Sequence, residues 1–397
     1  MRLVTDRERR ARLATRHALA PAARTTGPEE ATRAMAVLHA TEPATVYLSL
    51  AARVDALTVA DVERALYAER TLVKQLAMRR TLFVLPRDLL PAAWGSASAR
   101  VAGLLRGPLA REAERAGLAE DGETWLAEAC RAVVDRLADG SALSTQELRE
   151  QLPELSGRIE LSMGKSYGGS FPIAPRVLTQ LAAEGRIVRG ANAGQWRVSR
   201  PLWSSMASWL GHLPGPWPAR EGYAELARRY LTTFGPATAE DLRWWLGATA
   251  GIVRQALADA AAVEVRLEGG ATGWLLPGDA DEVPEVAPWC ALLPVLDPTT
   301  MGWKQRDFLL GPHGPAVFDR NGNAGTTAWW EGRVVGCWVQ DEQGTVEVFL
   351  LEDVGREGRA ALAAEAARLT TWLGGVRVGS LYSAPAMRAA LDEAGTR

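Results

Sequence analysis

The sequence predicts an α+β fold: about three winged helix-turn-helix modules in tandem, then a C-terminal β-rich module. Three observations lead there. An order of helix, helix, helix and short hairpin recurs three times, without detectable sequence repetition. Near Pro284 the texture changes to alternating strands joined by tight turns. Finally, 397 residues are too many for one small core and call for two to four modules.

In the first segment, residues 1–100, Gly27-Pro28-Glu29-Glu30 opens a helix with proline and acids in its first turn, running to about Leu38. A second helix covers Ala44 to Val54. A third covers Thr58 to Ala68, where Thr58 and Asp61 have capping-box spacing with Asp in place of Glu. The β-rich run Thr81 to Leu85 follows and ends at Pro86. In the second segment, 101–213, a helix spans about Glu123 to Ala138, and Ser144-Thr-Gln-Glu147 starts a short helix with a capping box that Pro153 closes. Ile173 to Glu184 takes the place of a recognition helix. Arg186 to Gly190 and Gln195 to Val198 read as two strands around the turn Gly190-Ala-Asn-Ala-Gly194.

Pro214, Pro216 and Pro218 mark a linker before the third segment, 219–280. Its helices cover 219–233, 238–246 and 249–260, and its hairpin spans 262–268 and 272–276 about Gly269-Gly270. The last module, 284–397, carries strands at Ala324 to Trp330, Arg333 to Gln340 and Thr345 to Leu351, joined by Glu331-Gly332 and Asp341-Glu-Gln-Gly344 turns. A helix from about Arg356 to Trp372 and a last short helix complete it.

Composition narrows the function classes. The chain is 47% apolar and 23% charged, as soluble globular proteins are. No stretch reaches the roughly eighteen apolar residues of a membrane helix, so no membrane partner is expected. Met1 to Arg16 is arginine-rich but lacks the apolar core of a secretory signal. Cys130, Cys290 and Cys337 are widely spaced and histidines number four, which argues against a disulfide framework and structural zinc. A cytoplasmic, nucleoid-associated protein without metal or cofactor is the expectation.

The net charge of −2 is unevenly spread: +6 over residues 1–100, zero over 101–200, −6 over 201–300 and −2 over the remainder. Residues 158–200 hold seven basic and two acidic side chains. Such asymmetry can bind phosphate in a nearly neutral protein. Local fluctuation in an arginine-rich proteome is the other reading, and the presence of only three lysines, Lys74, Lys165 and Lys304, fits a codon-biased source.

The stretch Leu38-His39-Ala40-Thr41-Glu42-Pro43 is the most informative in the chain. On a continuous helix His39 and Thr41 point about 200° apart. Pro43, however, disfavours helical geometry at Glu42, so the helix ends near Ala40 and extended backbone turns both side chains the same way. They then form a two-residue clamp. The plainer alternative makes His39 a core histidine one turn after Met35 and Thr41 an N-cap for the next helix. Gly164-Lys165-Ser166 suggests a phosphate loop, but Ile159 stands where glycine is required and no strand precedes it. Lys165-Ser-Tyr-Gly-Gly-Ser170 reads instead either as a loop touching DNA backbone through Lys165 and Tyr167, or as solvated charge. Arg176, Arg186 and Arg189 join it on the basic patch. The pairs Trp244-Trp245 and Trp329-Trp330 read as packing residues.

Several of these segments together resemble the AlkZ/YcaQ-type DNA glycosylases, built from tandem winged helices. The frame Leu38-x-x-x-Glu42-Pro43 matches, as do Tyr47-Leu-Ser-Leu50-Ala-Ala-Arg53 and Leu292-Leu-Pro-Val-Leu-Asp297-Pro, while Met78-Arg-Arg-Thr81-Leu-Phe is close to the family strand Met-Arg-Gly-Thr-x-His. The likeness runs from about residue 20 to 380. That family carries Gln-x-Gln or Gln-x-Asp where this chain has His39-x-Thr41, and those side chains hold the water that attacks the sugar C1′. The resemblance implies a concave DNA cleft and a monofunctional glycosylase acting on alkylated or crosslinked bases in double-stranded DNA as a monomer. The implied catalytic residues are His39, which can hold or deprotonate the water, Thr41, which can only hydrogen-bond it, and Glu42. Asp55 is a second nearby carboxylate. Tyr47, Ser49, Arg53, Arg79, Arg80, Asp297, Trp303, Lys304 and Arg306 are the implied DNA-binding residues. No lysine accompanies the His39 loop in sequence, which argues against strand cleavage through a Schiff base. The replaced glutamines leave a non-catalytic winged-helix DNA-binding protein as the alternative. An enzyme acting on a small molecule in an interdomain pocket is a third reading.

Overall fold

In the computed structural model, residues 1–161, 168–284 and 286–395 are described, as a mixed α and β fold. Two compact units emerge: one from Met1–Val62 with Ala224–Arg397, the other from Glu63–Tyr223. The expected segment boundaries therefore differ from the compact units, because the N-terminal 62 residues pack with the C-terminal part of the chain.

In the discontinuous unit, the strand Leu3–Val4 pairs parallel with Val263–Leu267, which pairs antiparallel with Thr272–Leu275. This small sheet follows the helices Ala219–Phe234, Ala239–Leu246 and Ala250–Asp259, the order expected for the third segment. Its hairpin turns on Gly270, whose φ of 85° suits a residue without Cβ. A four-stranded antiparallel sheet joins Cys290–Leu293, Thr327–Trp330, Arg333–Gln340 and Val346–Leu350 in that order. Helix Gly355–Leu373 and helix Pro385–Gly395 follow it. The edge strand Cys290–Leu293 leads into the turn that positions the buried charges described below.

The other unit holds the long helices Ala99–Arg115 and Gly122–Arg136, the capped helix Thr145–Gln151 and the helix Ala174–Ala183. Their apolar faces form one core around Leu126, Val133, Leu148, Val177 and Leu181. The capping box at Ser144 is present in both directions, Ser144 accepting from the Glu147 amide and Glu147 from the Ser144 amide. The same reciprocal pattern joins Thr58 and Asp61 in the first unit.

Three elements differ from expectation. The helix beginning at Pro28 stops at Ala34 rather than near Leu38, because Ala36 turns left-handed (φ 59°) and Leu38–His39 is already a strand. The segment after Thr58 is α-helical only over Val59–Glu63 and becomes a π-helical turn over Arg64–Ala68. The second strand after Arg186 is Pro201–Ser205, not Gln195 to Val198. The Asn192 side chain explains that shift. Its amide donates to the carbonyls of Gly194, Gln195 and Val198 while its carbonyl accepts from the Arg200 amide, so the intervening residues are held as a loop.

Candidate active site

The His39 loop lies between two elements whose ends follow from local chemistry. His39 closes the strand Leu38–His39 in extended backbone. Glu42 is also extended, at φ −100° and ψ 125°, as a residue before proline must be, and Pro43 starts helix Pro43–Ala51 at its first position. His39 is 6% exposed, whereas Thr41 is exposed to solvent. The two therefore meet different environments. No side chain caps the helix, so Thr41 does not serve as its N-cap. Asp55, the other nearby carboxylate, is exposed and pairs with Arg24 at 3.3 Å.

Glu42 is fixed more firmly than its sequence neighbours. Its Oε1 accepts from the Ser380 hydroxyl at 2.9 Å and from the Leu381 amide at 2.6 Å. Burial raises its pKa, and these two donors oppose the rise by stabilising the carboxylate. The loop is thereby tied to residues more than three hundred positions away in sequence.

The helix that carries the loop is anchored by a buried polar cluster. Arg53 and Asp297, both fully buried, form a two-pronged ion pair at 2.9 and 2.7 Å. Ser49 donates to Asp297 at 2.7 Å, the Thr299 amide donates to it at 2.9 Å, and Arg53 also reaches the Ser49 carbonyl and the Thr299 hydroxyl. Thr45 donates to the Val295 carbonyl at 3.0 Å. Four contacts therefore join one face of Pro43–Ala51 and the residues after it to the turn at 295–299. Asp297 N-caps the short helix Pro298–Met301, and the turn before it holds Leu296 left-handed at φ 57°. A branched side chain in that region costs about 1 to 2 kcal/mol, so the surrounding packing must impose it. The Arg53 guanidinium and its hydrogen bonds hold the Asp297 carboxyl below its ordinary pKa against the opposing effect of burial.

His17, which sequence reading passed over, completes the cluster. Its ring meets the Thr233 carbonyl at 3.1 Å and the Thr299 hydroxyl at 2.9 Å. A carbonyl only accepts, so Nε2 carries the proton and Nδ1 accepts from Thr299. Burial, and then the Arg53 charge, push its pKa down to about 3, leaving the ring neutral. It stacks on Trp303 at 5.9 Å, and Trp303 donates from its indole to the Phe234 carbonyl. The one sequence signal nearby was Asp297-Pro298-Thr299, an N-cap followed by proline. Nothing local in Arg16-His17 marked the histidine.

This burial corrects part of the expected DNA surface. Ser49, Arg53 and Asp297 are fully buried, and Tyr47 and Trp303 are 2% exposed. They hold the interior together and do not present a face to DNA. Arg306 is half-buried, its guanidinium lying over Trp244 at 5.1 Å and Phe318 at 4.4 Å, and burial lowers its pKa to about 10. Lys304 is exposed and pairs with Glu240 at 2.8 Å.

In the other unit, Arg79 and Arg80 sit at the tip of the hairpin joining Leu72–Leu76 to Leu82–Pro86. Both are left-handed, at φ 55° and 58°, with the Thr81 amide donating to the Met78 carbonyl. That is the turn which most favours Asn-Gly, here occupied by two arginines. Arg80 is exposed and Arg79 half-buried. Arg186 is exposed, Arg176 pairs with Glu112 at 2.9 Å, and Arg189 lies over Trp203 at 5.2 Å. Lys74 donates to the Tyr67 hydroxyl at 2.7 Å, and burial followed by the Arg189 charge lowers its pKa to about 7. Lys165 and Tyr167 lie outside the described residues. Among the described residues no cluster of His, Cys, Asp or Glu could hold a metal ion, and no helix is long and apolar enough to cross a membrane.

With this geometry in view, comparison with known proteins gives a consistent result. A family model described as DNA glycosylase AlkZ-like matches residues 32–372. Among solved structures, the fold is similar to that of the Streptomyces sahachiroi DNA glycosylase AlkZ, with a TM-score of 0.75 and 23% sequence identity, over 95% of this chain and 99% of that one. No curated protein matches the sequence.

Proposed function

Since the chain belongs to the AlkZ-like DNA glycosylase family, we propose that it hydrolyses the N-glycosidic bond of alkylated or crosslinked bases in duplex DNA, leaving an abasic site. The observation that carries this reading is the His39-x-Thr41-Glu42 loop, which links a strand ending at His39 to a proline-started helix inside the matched region.

Alkylation makes the base a good leaving group, so the residues need supply little acid catalysis. His39 takes a proton from the attacking water. Thr41, exposed to solvent on the same loop, supplies a hydroxyl that can hydrogen-bond without taking a proton. Glu42, whose carboxyl oxygen accepts from Ser380 and Leu381, offsets in its ionised form the positive charge that builds on the sugar. The hairpin arginines Arg79 and Arg80, with Arg176, Arg186, Arg189, Lys165, Tyr167, Lys304 and Arg306, supply the DNA contacts. On this reading the helix–helix–helix–hairpin segments act as winged-helix modules of a monomer, with resistance to a genotoxin as one setting for the activity.

The test is base release from duplexes carrying N7-alkylguanine, N3-alkyladenine or an interstrand crosslink. His39→Ala is expected to slow release about 10²- to 10⁴-fold with DNA binding preserved. Intact duplex binding with no release from any of these substrates would overturn the catalytic reading and favour a DNA-binding protein.

A further inference from the structure

Glu42 faces a cavity of about 390 Å³ that the hydrolysis itself does not use. That volume falls within the range of pockets that enclose small organic ligands. Its walls are the loop-bearing helix at Leu48, the turn at Val295, the sheet at Trp338 and the last helix at Met387, with Arg377 also lining it. The interior is mainly apolar, and its two charged groups have opposite sign. Arg377 is exposed and has no hydrogen-bond or ion-pair partner among the described residues.

The wall containing Arg377 is preformed. Gln340 donates to the Val376 and Gly344 carbonyls and accepts from the Val378 amide. Three and four residues after Arg377, Ser380 and Leu381 hold Glu42. The cavity wall and the candidate catalytic loop are thus joined through a single carboxylate.

We propose that this cavity binds the released base, a free N-alkylated purine, and so makes the protein subject to product inhibition. The inference rests on the glycosylase reading for the identity of the ligand. In hydrolysis the electron pair of the C1′–N bond passes to the ring nitrogen and discharges the alkylated ring. Water oxygen bonds to C1′, and its proton passes to His39 or solvent. The base therefore leaves neutral and needs hydrogen-bond partners rather than a counter-charge. Guanine presents amino N–H donors and the O6 acceptor along one edge. Glu42 can accept from the former and Arg377 donate to the latter. Trp338 and Met387 offer flat and polarisable surface to the ring.

Calorimetric titration with 7-methylguanine and 3-methyladenine tests this directly, beside base release with added free base. Saturable binding is expected, stronger for 7-methylguanine. Leu391→Trp fills the cavity from an exposed rim position of the last helix, and Arg377→Met removes the donor. Each is expected to weaken binding at least about tenfold, relieve inhibition by added base, and leave single-turnover release within about twofold of the parent. Circular dichroism establishes that both variants fold. Absence of saturable binding by the parent protein, or binding unchanged in both variants, would overturn the proposal even if base release is robust. Binding lost in the variants, with no release from any alkylated duplex, would retain the site and refute the glycosylase reading alone.

Discussion

Arg53 and Arg80 each lie in a segment that resembles one of the AlkZ/YcaQ type, and the fold treats them in opposite ways. Arg53 is fully buried, paired with Asp297 and bonded to Ser49 and Thr299. Arg80 is exposed at a hairpin tip, in a left-handed conformation that glycine would adopt at lower cost. The buried cluster sets where the helix Pro43–Ala51 stands. The hairpin tip keeps a strained cationic residue in solvent, as expected when a charge is wanted at that point. Arginine in a motif is thus evidence of constraint, and burial decides whether the constraint is internal order or an external partner.

Breaking the buried cluster carries the largest expected effect. Asp297→Ala leaves Arg53 buried without its counter-charge and is expected to cost about 3 to 5 kcal/mol, read by chemical denaturation. Replacing Arg53 by Met and Asp297 by Leu together is expected to recover most of that loss. A double variant as unstable as the single one would show that the ion pair stabilises on its own account.

The pH dependence sharpens the same side of the comparison. His17 has a folded pKa of about 3, below the ordinary value near 6.5. Between those values the unfolded chain binds a proton that the folded protein refuses, so stability falls as pH drops from about 6.5 toward 3. The slope from this residue approaches about 1.4 kcal/mol per pH unit. Denaturation at pH 7, 6 and 5 should show it, with His17→Gln flattening the curve. Parallel curves would mean that His17 is not held neutral. Asp297 acts further down: its depressed pKa gives stability that is lost as pH falls below the ordinary carboxylate range.

The smallest effect belongs to the hairpin. Arg80→Gly is expected to stabilise the fold by about 1 kcal/mol by relieving the left-handed backbone. It should also weaken duplex binding evenly across sequences and reduce the salt-dependence slope by about 1. An unchanged slope would remove Arg80 from the DNA surface and erase the contrast with Arg53.

Much of the architecture was legible locally. The third helical segment and its glycine hairpin follow from capping residues and period. So do the strand Arg333–Gln340, the long helix Gly355–Leu373 and the capping boxes at Ser144 and Thr58. The loop around Asn192 was missed because a side-chain amide gathered three carbonyls that alternation of residue types does not encode. His17 was missed because its partners, Thr233 and Thr299, stand more than two hundred residues away.

By itself the sequence determined the helix starts, the extended backbone before Pro43 and the family motifs, since these depend on neighbours within a few bonds. Only the tertiary structure decided that Ser49, Arg53 and Asp297 form an interior cluster, that Glu42 is held by Ser380 and Leu381, and that a cavity adjoins the loop. Burial and pairing depend on which distant segments meet, and the N-terminal 62 residues pack with the chain after Ala224. No window along the sequence records that meeting.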